Sequence, residues 1–153
     1  MSATLADVRA KLSAPSILAF TAYGEAADQG IEGQVAVMCT ARNRAAMKHL
    51  PLADICLAPY QYSCWNDAAH AGVSWLLPAV DDFLAAKPLA PVLQQCFGIA
   101  ALVAAGTVLD NTQGATHYYA PRLVAAPDWT KPPAILTVTI RDHVFYRRVA
   151  PFV

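Results

Sequence analysis

The chain has 153 residues and a mass of 16.3 kDa, enough for one domain that buries about two-thirds of its unfolded surface. Its 11 basic and 11 acidic side chains give a formal net charge of zero, which argues against nucleic acid as a partner, because phosphate recognition brings a basic excess. The longest apolar runs fall short of a membrane span, and Asp7, Arg9 and Lys11 interrupt the start, so no secretory signal is read.

Residues 1–12 read as a short helix or arm. Ser13 is a cap and Pro15 a first-turn residue for a helix running to about Ala26. Asp28, Gln29 and Gly30 break it, and a second helix follows over 31–48, with Ile31, Val35, Met38 and Arg42 at helical spacing and Val37 and Ala41 widening the stripe. Glu32 lies in its first turn, where the helix dipole favours an anion. Pro51 to Leu57 forms a helical turn or two, and Pro59 to Asp67 has no steady period and reads as a loop. A helix broken by Pro78 is expected over 68–87. The clearest amphipathic helix spans 88–105, with Val92, Cys96, Ile99 and Val103 on one face, Leu93, Phe97 and Ala100 beside them, and Gly106 ending it. Residues 114–121 are β-prone, and 135–140 and 143–147 flank Arg141-Asp142 as a hairpin. Helices first and a small antiparallel sheet afterwards make a single α+β domain over 1–153.

Cys39, Cys56, Cys64 and Cys96 contain no C-x-x-C pair and make no zinc spacing with His49. Unpaired, partly buried thiols, one or two disulfides, or a metal site all stay open, in that order of preference. No cofactor motif is read, and a monomer is expected.

Glu25 is one of only two glutamates. On a helix it shares a face with Leu18, Thr21 and Ala22, and partial burial there disfavours the charged form, which suits a general acid. Gly24 beside it leaves room for a bulky substrate; alternatively, Glu25 is a helix-terminal charge next to a stop signal. The stretch Tyr60, Gln61, Tyr62, Ser63, Trp65, Asn66 and Asp67 mixes flat apolar faces with short polar groups, which suits sugar rings; equally, the aromatics fill the core while Asn66-Asp67 caps the next helix. Thr116, Tyr118 and Arg122 form a second cluster, with His117 and Tyr119 on the opposite side of a strand and His143 and Tyr146 on a neighbouring one. Either histidine reads first as a structural group. Ser63 with a histidine and an aspartate lacks the nucleophile-elbow context of a triad.

Together, Tyr23-Gly-Glu-Ala26, Glu32-Gly-Gln-Val-Ala-Val37 and Arg42-Asn-Arg44 resemble the opening of the cell-wall hydrolase family typified by the spore-cortex-lytic enzyme SleB. Tyr62 to Asp67 resembles that family's F-S-x-x-N/D loop. Gly106, Asp110, Thr112, the run Gly114 to Pro121, Trp129 and His143 to Tyr146 resemble its later blocks, so the likeness runs from about residue 17 to 147. The resemblance implies a lysozyme-like, lytic-transglycosylase-like fold, action on the glycan of peptidoglycan, and Glu25 as the catalytic glutamate. Where the family continues G-E-A-R-G-E, this chain has Ala27 for the arginine and Gln29 for the second glutamate.

The implied reaction is lytic transglycosylation, with Glu25 as acid and then base; Ser63, Asn66, Thr116 and Tyr118 orient the sugar, and Tyr62, Trp65 and Tyr119 line the groove. Gln29 binds a hydroxyl or water. Hydrolysis with Asp28 or Asp67 as second carboxylate is the alternative, followed by a non-catalytic glycan-binding domain and by amidase action on the stem peptide. A small domain with neither export signal nor wall-binding module fits a phage-type endolysin, made in the host cytoplasm and released to the wall by a holin or similar device, or a bacterial wall-remodelling relative.

Overall fold

The computed structural model of the chain describes residues 3–65 and 75–152. It is mainly helical, with α1 at Leu5–Lys11, α2 at Ala14–Ala26, α3 at Gly30–Lys48, α4 at Leu52–Leu57, α5 at Leu77–Leu84 and α6 at Pro91–Ala104. A small antiparallel sheet completes it, with β1 at His117–Tyr119, β2 at Ile135–Ile140 and β3 at His143–Arg147 in the order β1-β3-β2. Among the described residues no helix is long and apolar enough to cross a membrane.

Helix α2 is the axle of the fold. Ser13 caps it, its hydroxyl accepting from the Ser16 amide, and Pro15 fits the first turn, where no intrahelical donor is needed. Its sides are apolar nearly all round, with Ile17, Leu18, Ala19, Phe20 and Ala22 buried, so α3, α4 and α6 pack about it. Phe20 meets Phe97 edge-on at 5.4 Å and Phe83 at 5.9 Å, which ties α2 to α6 and α5. Here the expected faces shift. Leu93, Cys96, Ala100 and Val103 form the buried stripe of α6, while Val92 is exposed. On α3, Ile31 is exposed, and the stripe centres on Val37, Ala41 and Arg44. Pro78 starts α5 instead of breaking a longer helix, since it stands in the first turn. Residues 68–74 of the expected 68–87 helix lie outside the described residues.

Three consecutive side chains of α3 tie the helical half to the segment that leads into the sheet. Arg42 donates to the carbonyl of Val108 at 3.0 Å, Asn43 to Asp110 and to the Ala115 carbonyl, and Arg44 to the Thr116 carbonyl. Burial alone would push the Asp110 carboxyl up, but hydrogen bonds from Thr112, Asn43 and the Gly114 amide hold it below its ordinary value. A small cluster of Ala36, Ala115 and Phe145 seats the sheet on α3.

The turn between β2 and β3 is fastened to the corner between α2 and α3. Gln29, only 5% exposed, accepts from the Asp142 amide at 2.9 Å and donates to the Asp142 carboxylate at 3.0 Å. Arg141, in the left-handed region at φ 52, pairs with Glu32 at 2.5 Å. The Arg141 guanidinium lies where a Cβ on Gly30 would approach it to 3.0 Å. All four cysteines are free and buried, and burial pushes the Cys56 thiol up to about 12 and that of Cys96 to about 11.

Candidate active site

Glu25 stands in the last turn of α2, half-buried at the floor of a cleft between the helices and the sheet. Three donors from two distant segments meet it. Ser63 Oγ reaches Oε1 at 3.1 Å and the Cys64 amide reaches the same oxygen at 2.9 Å. The Tyr118 hydroxyl donates to Oε2 at 2.9 Å.

Each donor is placed by burial of its neighbours. Residues 63–65 form a helical turn, anchored by Trp65, whose indole N–H donates to Thr21 Oγ1 at 2.9 Å, and by Tyr62, whose hydroxyl lies 3.3 Å from Thr40 Oγ1. With Tyr62, Cys64 and Trp65 turned inward, Ser63 and the Cys64 amide face the glutamate. Gly24 permits this approach, since a Cβ there would lie 2.5 Å from Cys64 Cβ. Its bare backbone therefore makes room for the protein's own chain. On β1, Tyr118 pairs with Phe145 of β3 and its ring lies 4.8 Å from that of His143, so strand alternation aims its hydroxyl at Glu25.

The three contacts make the two carboxylate oxygens unequal. Oε1 meets a main-chain N–H, which only donates, whereas Oε2 meets a phenol, which both donates and accepts. A proton on Glu25 therefore belongs on Oε2. Burial pushes the Tyr118 phenol well above its ordinary value, and the Glu25 charge adds to this, so Tyr118 stays a hydroxyl through the physiological range. Tyr118→Phe removes the only described partner of Oε2, and turnover of the glycan substrate that the sequence resemblance implies is expected to fall about tenfold to a hundredfold, the worth of a hydrogen bond to a charged group. A rate within twofold of the parent in a steady-state assay would discount the role.

His143 lines the cleft on both sides of Glu25 and is 8% exposed. Its Nδ1 is buried with no partner among the described residues. An orphaned lone pair costs less than an orphaned N–H, so the favoured tautomer carries its proton on Nε2. Burial holds its imidazole below the ordinary value, against the opposing pull of Glu25, Asp142 and Asp28.

The expected sugar-binding residues divide. Ser63, Tyr118 and Tyr119 line the cleft of about 430 Å³ with Glu25. Tyr62 and Trp65 are each 2% exposed and Thr116 is 1% exposed, so a direct contact with sugar is not open to them. The first two brace the turn that serves Glu25, and the Thr116 hydroxyl is taken by His117 Nδ1 at 2.9 Å. Gln29 lines the adjoining sector, its amide engaged by Asp142. Asn66 and Asp67 lie outside the described residues. Asp28 and Asp142 share that adjoining sector of about 310 Å³ with Glu25. The Cys64 amide, Asp142 and the lip formed by Leu123 and Val124 were not foreseen as parts of the site, and Arg44 only as part of a motif. A main-chain donor leaves no mark in a sequence. A buried arginine does, at the centre of the α3 stripe.

A family model described as Cell Wall Hydrolase matches residues 28–146, beginning just after Glu25. In fold the chain is similar to the catalytic domain of the Bacillus cereus SleB protein, with a TM-score of 0.58 and 20% identity, covering 86% of this chain and 88% of that one. It is likewise similar to the catalytic domain of the germination-specific lytic transglycosylase SleB from Bacillus anthracis, with a TM-score of 0.57 and 19% identity, covering 88% and 96%. No curated protein matches the chain in sequence.

Proposed function

This chain belongs to the Cell Wall Hydrolase family, and from that premise we propose that it cuts peptidoglycan glycan at the β-1,4 bond between N-acetylmuramic acid and N-acetylglucosamine. Glu25 gives the proton on Oε2 to the glycosidic oxygen as the bond from C1 breaks. The resulting carboxylate takes the proton of the muramic C6 hydroxyl, whose oxygen closes on C1 of its own ring. The product is a 1,6-anhydro end, with no water consumed. One carboxylate is enough for this sequence, whereas ordinary glycosidases use two.

What carries this reading is the enclosure of Glu25 by Ser63, the Cys64 amide and Tyr118 on the cleft floor. Fixed donors keep the carboxylate oriented through both proton transfers, and Tyr118 reverses its hydrogen bond when Oε2 is protonated. Tyr119 and Tyr60, which line the cleft, offer flat faces to sugar rings.

Hydrolysis by a muramidase route is the second reading, favoured by Asp28 and Asp142 in the sector beside Glu25. Asp142 is occupied by Gln29 and Arg122, and the Gln29 hydrogen bond in particular holds its carboxyl below the ordinary range. Asp28 also accepts from Gln29, at 3.0 Å, but has no cation paired with it among the described residues and is exposed at the helix corner. Mass spectrometry of the material released from purified peptidoglycan separates the routes. Anhydro-muramic ends, lighter by one water than reducing ends, are the expected outcome; reducing ends alone would replace transglycosylation by hydrolysis. We further propose an endolysin setting, with synthesis in the host cytoplasm and holin-dependent access to the wall.

A further inference from the structure

Arg44 is 6% exposed, yet among the described residues no carboxylate pairs with it. Its Nε donates to the Thr116 carbonyl and Nη1 to Gln61 Oε1, and the guanidinium lies 5.6 Å from the ring centres of Tyr62 and Phe152. Those contacts hold the group in place but give it no paired anion, since both hydrogen-bond partners are neutral and the rings offer only a partial counterweight. A guanidinium carries five N–H donors and is always charged. Nη2 meets no acceptor among the described residues and is not sealed in the core, because Arg44 lines the cleft both beside Glu25 and in the next sector, toward Trp129.

A buried cation is ordinarily paired or held for a ligand. Among the described residues the sector toward Trp129 has no acidic residue in its wall, and Lys48 adds a second positive charge nearby, its Nζ 4.9 Å from the Phe152 ring centre. The local field is positive enough to register on His117, whose imidazole is pushed down to about 3 by burial and then by Arg44 and Lys48. The adjoining sector that shares Glu25 carries Asp28 and Asp142, the latter paired with Arg122. The two sectors therefore differ in charge, with acids beside Glu25 and Arg44 as the charged side chain in the wall of the Trp129 sector.

We propose that Arg44 is the anchor of a carboxylate-binding subsite on the Trp129 side of Glu25, filled by a carboxylate that the glycan substrate carries. The planar fork of the guanidinium matches a carboxylate, and a preformed buried donor binds it without first ordering a long side chain. This rests on the glycan-cleaving reading and adds to it a requirement for charge on the substrate. Two sources supply that chemistry: the lactyl carboxylate of a muramic acid without its peptide, and the free carboxylates of a stem peptide.

Calorimetric titration of the whole chain tests it with N-acetylmuramic acid against its methyl ester, and with a muramoyl peptide against the same peptide fully amidated. One of the two free acids is expected to bind about tenfold tighter than its neutral partner, and which pair separates names the source. The preference is lost in Arg44→Gln and partly kept in Arg44→Lys; if Arg44→Gln fails to fold, the comparison in the parent protein stands alone. Equal affinities within both pairs overturn the subsite. Glycan release without any carboxylate preference removes this inference and leaves the proposed reaction, whereas acid-selective binding without glycan release does the reverse.

Discussion

Glu25→Gln is expected to lower the release of soluble glycan from purified peptidoglycan by about a thousandfold or more, because in the proposed mechanism the same carboxyl serves as acid in one step and base in the next. Glutamine keeps the shape of the side chain and an oxygen for Ser63 Oγ and the Cys64 amide, the donors now on Oε1. It can face Tyr118 with its nitrogen, since the phenol oxygen also accepts. The fold should thus survive, with circular dichroism unchanged and stability within about 1 kcal/mol of the parent. The one property removed is the ability to give up and take back a proton. Rates are best measured as initial velocities of turbidity loss, with soluble products quantified in parallel. A folded Glu25→Gln protein that clears peptidoglycan at the parent rate would end the proposed mechanism.

Gly24→Ala should damage both stability and rate. Helix propensity alone favours alanine by about 1 kcal/mol. Against this, the added Cβ would sit 2.5 Å from Cys64 Cβ, 2.8 Å from its Sγ and 3.0 Å from Leu76 Cδ1. A Cβ cannot swing aside as the end of a long side chain can, so the whole 63–65 turn must withdraw. Overpacking of this kind costs roughly 1–3 kcal/mol, so the net change is a loss of up to about 2 kcal/mol, read as a lower melting temperature. The withdrawal also carries the Cys64 amide and Ser63 away from Oε1, and a further fall of about tenfold in turnover is expected from the loss of those hydrogen bonds. A variant with a raised melting temperature and an unchanged rate would mean that the turn has room to spare.

The parts of this architecture written in local signals were legible. Ser13 and Pro15 mark the start of α2, and the alternation of 135–140 and 143–147 about Arg141-Asp142 marks the hairpin. Tyr118 could be grouped with Glu25 only through the resemblance, because their 93-residue separation leaves no periodic trace. Tyr62 and Trp65 misled in an instructive way. Aromatic residues interleaved with short polar ones read alike whether the rings face a ligand or the interior, and here the deciding contact is a distant one, from the Trp65 indole to Thr21. Val92 stands on the helical spacing of α6, but the buried face runs one residue round the helix through Leu93, and Phe20 of α2 meets this helix at Phe97. The fastening of Gln29 to Asp142 likewise joins positions 113 apart.

Because Gln29 and Glu32 grip the β2–β3 turn, the sheet that carries Tyr118 is held at a fixed setting from the helix that carries Glu25. The proposed catalytic constellation draws on α2, the 63–65 turn and β1 at once, so no single element of the chain contains it. Activity then reports on the whole molecule. Under rising denaturant, glycan cleavage and helical signal should vanish together in one transition, and the residual rate at any concentration measures the native fraction directly.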